Sequence, residues 1–308
     1  MNKINKYVLA VLGGGICWGF MGFFTRHLDK YGIDSDEAII VRCGIAAVMF
    51  GLLLLLTKPA AFKVKKKDIW CFLGSGLLSL LFFTFCYFRA ISMMDLSTAA
   101  ILLYIAPTIV MLLSAILFGE KITSTKILAV VLAFAGCCLV SGIAGGVSLT
   151  ATGLLFGIGS GVGYALYTIF SRYALDRGYS SLTINFYSCL LASVGAAIIW
   201  HPSDLITRMT SSTIPSGESL PAWCWCVLIG AVSCFVPYLL YTYGLTGLEN
   251  GKASVLASVE PVVASLVGVL YYHEKMSLAT AVGIVLVLGA VVLVNAKLGT
   301  GRKGEAFI

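Results

Sequence analysis

The sequence predicts an all-α membrane protein with ten transmembrane helices arranged as two inverted-topology five-helix repeats. The first observation behind this fold class is composition: the 308 residues are 59% hydrophobic and 11% charged, whereas about a quarter of the residues in a typical soluble domain are charged. The hydrophobic residues are gathered into runs of about 20, the length that a helix needs to cross a bilayer. The other two observations are an internal repeat and the distribution of basic residues.

One stretch of the chain occurs twice. Residues 87–121 return as residues 241–275, with every position displaced by 154, and seven of the 35 aligned residues are identical. Each copy is an apolar segment with a proline near its middle, Pro107 or Pro261, and a Glu-Lys pair at its end. A fainter register, displaced by 146, relates the beginnings of the two halves. A repeat of this kind predicts two related halves packed around a shared centre.

The basic residues give the repeat its orientation. With the N-terminus inside, 15 lysines and arginines fall in cytoplasmic segments and four in external ones, which predicts that both termini are cytoplasmic. Because five spans per half is an odd number, the two halves have opposite orientations. We expect a first repeat at residues 1–146, a second at 147–297 and a cytoplasmic tail at 298–308. The predicted spans are 7–27, 37–57, 69–91, 96–118, 124–143, 150–172, 181–200, 222–245, 251–271 and 277–296.

Two further patterns concern packing and loops. Gly15 and Gly19 in span 1, and Gly157 and Gly161 in span 6, form small-xxx-small faces that predict close helix contacts within one bundle. The polar segment 201–220 is expected to be a flexible external connector with no site of its own.

Composition and motifs exclude several classes of protein. The net charge of +7 resides mostly in short loops between spans, as membrane insertion requires, so no nucleic-acid partner is expected. The chain has no phosphate-binding loop, nucleophile elbow or dinucleotide motif. Its ten cysteines fall almost wholly within apolar runs and have no metal-ligand spacing. We therefore expect no catalytic residues, no metal site and no cofactor: a protein that is not an enzyme.

Glu260 is the strongest candidate for a functional residue. It is predicted near the centre of span 9, directly before Pro261, where an unpaired carboxylate costs about 3 kcal/mol. The proline removes a backbone donor and opens the preceding turn. Because the repeat counterpart is Ala106, packing does not demand a carboxylate. We expect Glu260 to bind a cationic group of a substrate or to cycle a proton; permanent pairing with an arginine is the alternative.

Two arginines also fall within predicted spans. Arg42 and Arg89 have uncharged repeat counterparts, Ser188 and Tyr243. A guanidinium that faces a cavity would bind a carboxylate or phosphate of a substrate. Arg89 lies closer to the end of its span, where extension toward the membrane interface explains it equally well.

Aromatic and polar residues at mid-span predict the lining of a cavity. Tyrosine and tryptophan concentrate at bilayer interfaces, but several of these residues are predicted deeper, where their polar atoms need partners. The candidate lining residues are Trp18, Tyr87, Tyr104, Tyr164, Tyr167, Tyr238, Tyr241 and Asn185.

With these features the chain resembles the EamA family of the drug/metabolite transporter superfamily, over residues 7–297, as two tandem units. The resemblance rests on a Pro-x13-Lys pattern with Glu before the Lys, on a glycine-rich last span in each half, and on residues of the first two spans. The matching positions are Pro107–Lys121, Pro261–Lys275, Arg42 and Trp18-Gly19.

The resemblance implies a ten-helix transporter of the inner membrane with a cavity lined by helices 1, 3, 4, 6, 8 and 9. Members of this family export amino acids, their derivatives, nucleosides or drugs. We therefore expect a multi-pass plasma-membrane secondary transporter that exports amino acids or related small molecules by alternating access, with protons as the candidate coupling ion.

Three alternatives stay open at this point. One is a carrier or antiporter of nucleotide sugars or sugar phosphates, which relatives of the family transport. Another is a lipid flippase or an intramembrane enzyme, which would need a lateral opening lined by acids or catalytic pairs. The last is a structural or regulatory membrane protein, which would not need charges deep in its spans.

Overall fold

The protein is a bundle of membrane-length helices. A computed structural model of the chain describes residues 3–94, 96–141, 150–211 and 213–296, and all regular secondary structure within them is helical. Nine helical segments in this part of the chain are long and apolar enough to cross a membrane, and a tenth of 17 residues is shorter. In order, spans 1–10 are Lys6–Asp29, Ser35–Thr57, Lys66–Met93, Thr98–Phe118, Ser124–Val140, Ala151–Asp176, Ser181–Trp200, Ala222–Leu245, Asn250–Tyr272 and Leu278–Asn295.

The predicted fold class is confirmed, with span boundaries shifted by a few residues. The predicted end of span 5 at residue 143 and the expected tail at 298–308 lie outside the described residues. The periphery of the bundle is apolar, as a lipid-facing surface requires. Exposed side chains on it include Leu56, Ile116, Leu155, Leu270, Val285 and Val292.

The two halves turn the chain in the same way at equivalent positions. Gly119 and His273, 154 residues apart, both end a helix in the left-handed conformation, with φ of 67° and 55°. Gly32 and Gly178, 146 residues apart, both have positive φ, 72° and 84°. A left-handed residue closes the last turn of a helix by satisfying its free carbonyl groups. Both registers of the sequence repeat are therefore present in the backbone.

Spans of one half pack against spans of the other in a symmetric pattern. Span 2 packs against span 7 and span 5 against span 10, while span 1 packs on span 8 and span 3 on span 6. Small residues allow this closeness: a Cβ atom added to Gly136 in span 5 would lie 2.7 Å from the carbonyl oxygen of Gly283 in span 10. The two halves thus form one interleaved bundle.

The connector at residues 201–220 is anchored, contrary to the expectation of a flexible loop. Its short helix Leu205–Met209 carries Arg208, which pairs with Glu37 at the start of span 2. Farther along, Glu218 bonds to Nδ1 of His27 at 2.8 Å. These contacts hold the connector against the ends of spans 1 and 2.

Candidate transport site

Spans 4 and 9 are interrupted at equivalent positions. Pro107 and Pro261 each occupy the first turn of the helix that follows the break, where a missing N–H costs no intrahelical hydrogen bond. Each break leaves polar backbone groups free inside the bundle, which is tolerated only where protein or a cavity surrounds them. The half-helices are Leu96–Leu103 and Ala106–Phe118 in span 4, and Asn250–Ala257 and Glu260–Tyr272 in span 9.

Glycines bring span 1 into direct contact with the break in span 9. A Cβ atom added to Gly19 would lie 2.8 Å from the carbonyl oxygen of Glu260, and one added to Gly15 would lie 3.0 Å from that of Ala257. Gly161 makes the equivalent approach of span 6 to the break in span 4, at 2.8 Å from the carbonyl oxygen of Leu102. The predicted small-residue faces are thus contacts within the bundle.

The two breaks face each other across a small cavity, which we call the Glu260 cavity. Glu260 is half-buried in its wall, and its Oε2 accepts a hydrogen bond of 3.2 Å from the Tyr164 hydroxyl. Glu260 is also the first residue of the second half-helix of span 9. Its carboxylate thus lies near the positive end of the helix dipole, which favours negative charge. Other wall residues are Tyr104 and Ala106 from span 4, and Ser254 and Ser258 from span 9.

A second small cavity, the aromatic chamber, is bounded by residues of spans 1, 3, 6 and 8. The Trp18 ring lies 5.2 Å from the Tyr238 ring and 5.4 Å from the Tyr241 ring, between ring centroids. Tyr167 packs on Tyr238 at 4.8 Å. Aromatic faces carry partial negative charge, so a chamber of this kind suits a cationic or an apolar group.

Tyr164 joins the two cavities into one site. It lines both of them, with its ring centroid 6.3 Å from that of Trp18 and its hydroxyl on Glu260. A molecule that occupied both cavities would place one part beside a carboxylate and another among aromatic rings.

Arg42 is a buried cation without an acidic partner in the described part of the chain. Its residue is 5% exposed, and its Nη1 lies 2.8 Å from the Sδ of Met21, which is a weak acceptor. Arg42 takes part in none of the ion pairs among the described residues. Neither cavity includes Arg42 in its wall.

Three other candidate residues lie away from both cavities. Arg89 is exposed and stacks over Phe85 at 5.5 Å. Tyr87 is half-buried beside Phe83, at 6.0 Å between ring centroids. Asn185 is fully buried, and its Oδ1 accepts from the Tyr167 hydroxyl. Asn185 therefore stabilises the position of Tyr167, one of the tyrosines that line the aromatic chamber.

Several cavity residues are absent from the sequence-based candidates. Small hydroxyl side chains in apolar helices carry no distinctive pattern, because serine and threonine are common in membrane helices as packing residues. The one available signal is the repeat, which aligns Ser79 with Ser233. The missed wall residues include Ser79, Phe83, Thr168, Ser254 and Ser258.

The repeated Glu-Lys ends of spans 4 and 9 differ in their contacts. Glu120 accepts hydrogen bonds from the backbone N–H groups of Asn250 at 2.7 Å and Gly251 at 3.2 Å. It therefore caps the first half-helix of span 9. Glu274 instead pairs with Arg26 at 3.2 Å, with both side chains more than half exposed.

Comparison with known proteins decides the family. A family profile described as the EamA-like transporter family matches the chain twice, over residues 5–142 and 151–296. The chain belongs to the EamA-like transporter family. It is accordingly a multi-pass membrane transporter.

Relatives of this EamA-type transporter come from archaea and bacteria. A protein of Archaeoglobus fulgidus described as an uncharacterized transporter is 33% identical over 284 residues, covering 92% of this chain and 94% of the relative. The transporter YxxF of Bacillus subtilis is 24% identical and covers 99% and 92%. The inner membrane transporter YicL of Salmonella typhimurium is 22% identical and covers 99% and 100%.

A chain of known crystal structure has the same fold. It superposes with a TM-score of 0.78 at 19% identity, over 96% of this chain and 97% of that chain. At this level of identity the likeness concerns the fold alone.

Proposed function

We propose that this EamA-type transporter is a secondary active transporter that exports amino acids or related amino compounds by alternating access. The observation that carries the proposal is Glu260, a half-buried carboxylate at a helix break that faces a cavity between the two halves. Secondary transporters with inverted repeats bind substrates and coupling ions at discontinuous helices near the bilayer midplane. The repeat counterpart, Ala106, shows that packing alone does not require the carboxylate.

Each part of the site has a role in this proposal. Glu260 binds the ammonium group of a substrate, or exchanges it for a proton. The aromatic chamber accommodates the remainder of the molecule, and Tyr164 links the two. Arg42, a buried guanidinium without a carboxylate partner among the described residues, would attract the substrate carboxylate once the bundle rearranges.

Location and orientation belong to the same proposal. The excess of basic residues in alternate loops supports cytoplasmic N- and C-termini in a plasma membrane, so that the Glu120 end of span 4 faces the cytoplasm. The two repeats rock against each other and leave the substrate chemically unchanged, so the protein is not an enzyme.

The second candidate, a carrier of nucleotide sugars or sugar phosphates, draws support from Arg42. A buried, unneutralised guanidinium suits phosphate as well as carboxylate. Glu260 weighs against it, because a carboxylate in the cavity repels a substrate that is only anionic. Counterflow with amino acids, amines, nucleotides and sugar phosphates in proteoliposomes separates the two candidates.

The test of the proposal is Glu260→Gln in the purified, reconstituted protein. Loss of the charge should lower counterflow of the amino substrate by at least about 30-fold, the effect of removing one partner of a buried charged contact. Folding should be unchanged. Asp29→Asn, which alters an exposed carboxylate, serves as the control and should transport normally. Wild-type flux with unchanged proton dependence in Glu260→Gln would contradict the proposed role.

A further inference from the structure

Spans 3 and 8 contain π-helical stretches at equivalent positions. Residues Gly74–Leu81 in span 3 and Ala231–Phe235 in span 8 have this geometry, and at the offset of 154 the second stretch aligns with the end of the first. A π-helical turn contains an extra residue and changes the direction in which later side chains point; such turns are frequent at functional sites. Both stretches precede residues that line the aromatic chamber.

Ser79 and Ser233 occupy the same position in the two π-helical stretches but differ in their hydrogen bonds. Ser233 donates to the carbonyl oxygen of Ile229 at 2.6 Å. In the same part of span 3, Thr84 donates to the carbonyl oxygen of Leu80 at 2.8 Å. The Ser79 hydroxyl is buried and has no hydrogen-bond partner within the described residues, and its residue is 1% exposed.

Ser79, whose hydroxyl has no partner within the described residues, is one of the residues that line the aromatic chamber. Three of the four tyrosine hydroxyls around the chamber are already engaged within the protein. Tyr164 donates to Glu260, Tyr167 donates to Asn185, and Tyr241 shares a 2.7 Å hydrogen bond with Thr168. A buried polar group without a partner is costly to the fold. Ser79 is thus a hydrogen-bonding group that the protein leaves available in an otherwise aromatic and largely apolar chamber.

We propose that Ser79 contacts the substrate and hydrogen-bonds a polar group on the part of the molecule that the aromatic chamber holds. This rests on the proposed function, in which the chamber is part of the substrate site, and it narrows the substrate class. The preferred substrate is an amine or amino acid whose side chain is aromatic or apolar but carries a hydroxyl or a similar hydrogen-bonding group.

The test measures the affinity of purified full-length protein for pairs of molecules that differ by one hydroxyl. The probes are tyramine against phenethylamine, and L-tyrosine against L-phenylalanine, by isothermal titration calorimetry in lipid nanodiscs. Wild type should bind the hydroxylated member of each pair about 5- to 10-fold more tightly, as expected for one net hydrogen bond. In Ser79→Ala this ratio should fall to about 1, with affinity for the other member nearly unchanged. Ser233→Ala is the matched control and should keep the wild-type ratio.

A thermal melt separates contact from a structural role. Ser79→Ala removes a buried hydroxyl without a partner, so its melting temperature should equal or exceed that of wild type. A lower melting temperature, or an unchanged ratio in Ser79→Ala, overturns the proposal. Equal affinity of wild type for both members of each pair overturns the Ser79 contact alone. Failure of wild type to bind any of the four probes overturns the proposed amino substrate class and this contact with it.

Discussion

The break in span 4 and the break in span 9 have the same backbone but different chemistry. In span 4, Ala106 and its neighbour Ala165 from span 6 are both almost completely buried, at 1% and 0% exposure. In span 9, the equivalent positions are Glu260 and Gly19, whose backbones meet closely. The first break is filled with methyl groups, whereas the second presents a carboxylate to a cavity.

This difference distinguishes residues that maintain the fold from residues that we expect to serve transport. Features shared by the two halves, such as the prolines and the left-handed helix ends, satisfy backbone geometry and are explained by folding. Two features differ between the halves and bring no evident gain in packing. They are the Glu260 carboxylate and the Ser79 hydroxyl, which has no partner within the described residues although the aligned Ser233 has one. We therefore expect mutations that disturb helix packing or helix ends to change stability, and mutations of these two polar groups to change transport.

The largest expected effect on stability comes from Gly19→Ala, which gives the second break the alanine of the first. The new Cβ atom would lie 2.5 Å from the Cβ of Val263, so the helices must separate at a cost of about 1–3 kcal/mol. Differential scanning fluorimetry in detergent should show a lower melting temperature. Gly22→Ala is the control, because nothing lies within 4 Å of its added Cβ. Equal melting temperatures for the two variants would show that the glycine contact is not tight.

A smaller effect on stability is expected from mutations at the two Glu-Lys ends. Glu120→Ala removes the cap of the half-helix that begins at Asn250, which should cost about 1–2 kcal/mol. Glu274→Ala removes an exposed ion pair with Arg26, worth at most about 1 kcal/mol. Thermal melts of both variants measure the difference. A larger loss of stability in Glu274→Ala than in Glu120→Ala would contradict this prediction.

The smallest effect concerns pH and the external connector. Burial alone would raise the pKa of Glu218, but hydrogen bonds from Lys30 and His27 outweigh it and hold the pKa below the usual 4.5. A carboxylate with a lowered pKa stabilises the folded state above its ordinary pKa, and this contribution is lost as the pH falls below about 4.5. The hydrogen-exchange protection factors of residues 201–220, which correct for the intrinsic pH dependence of exchange, should therefore stay high at neutral pH and fall only in acid.

Glu218→Gln provides the control for that titration. The variant lacks the titrating group, so the protection factors of the connector should be lower than in wild type at neutral pH and should fall less in acid. An identical acid response in the variant would assign the loosening to another group.

Much of the fold follows from the sequence because it depends on patterns with a direct physical cause. Apolar runs of membrane length, two mid-span prolines and the bias of basic residues predict ten spans, two breaks and their opposite orientation. Glu260 could be selected because a charge beside a proline deep in a span is costly and rare. The relative positions of the two breaks across a cavity could not be read from spacing.

The remaining parts of the site depend on how helices are rotated about their axes. The π-helical stretches of spans 3 and 8 change that rotation, so a period of 3.6 residues does not tell which face Ser79 occupies. Arg89 was a candidate because its position is in a span, but its side chain lies on the exposed side. Asn185 was a candidate because it is polar, but its amide oxygen is used to hold Tyr167.

The packing between the two halves resembles an isologous interface, in which two copies of one surface meet about a two-fold axis. A true two-fold dimer would place every residue there twice, so a carboxylate at the Glu260 position would face its own copy where Ala106 now lies. Two carboxylates sharing one cavity repel each other, and one of them would stay protonated. Joining the halves in a single chain permits an odd number of charges at the centre, and so a cavity that can be neutralised by one proton or one ammonium group.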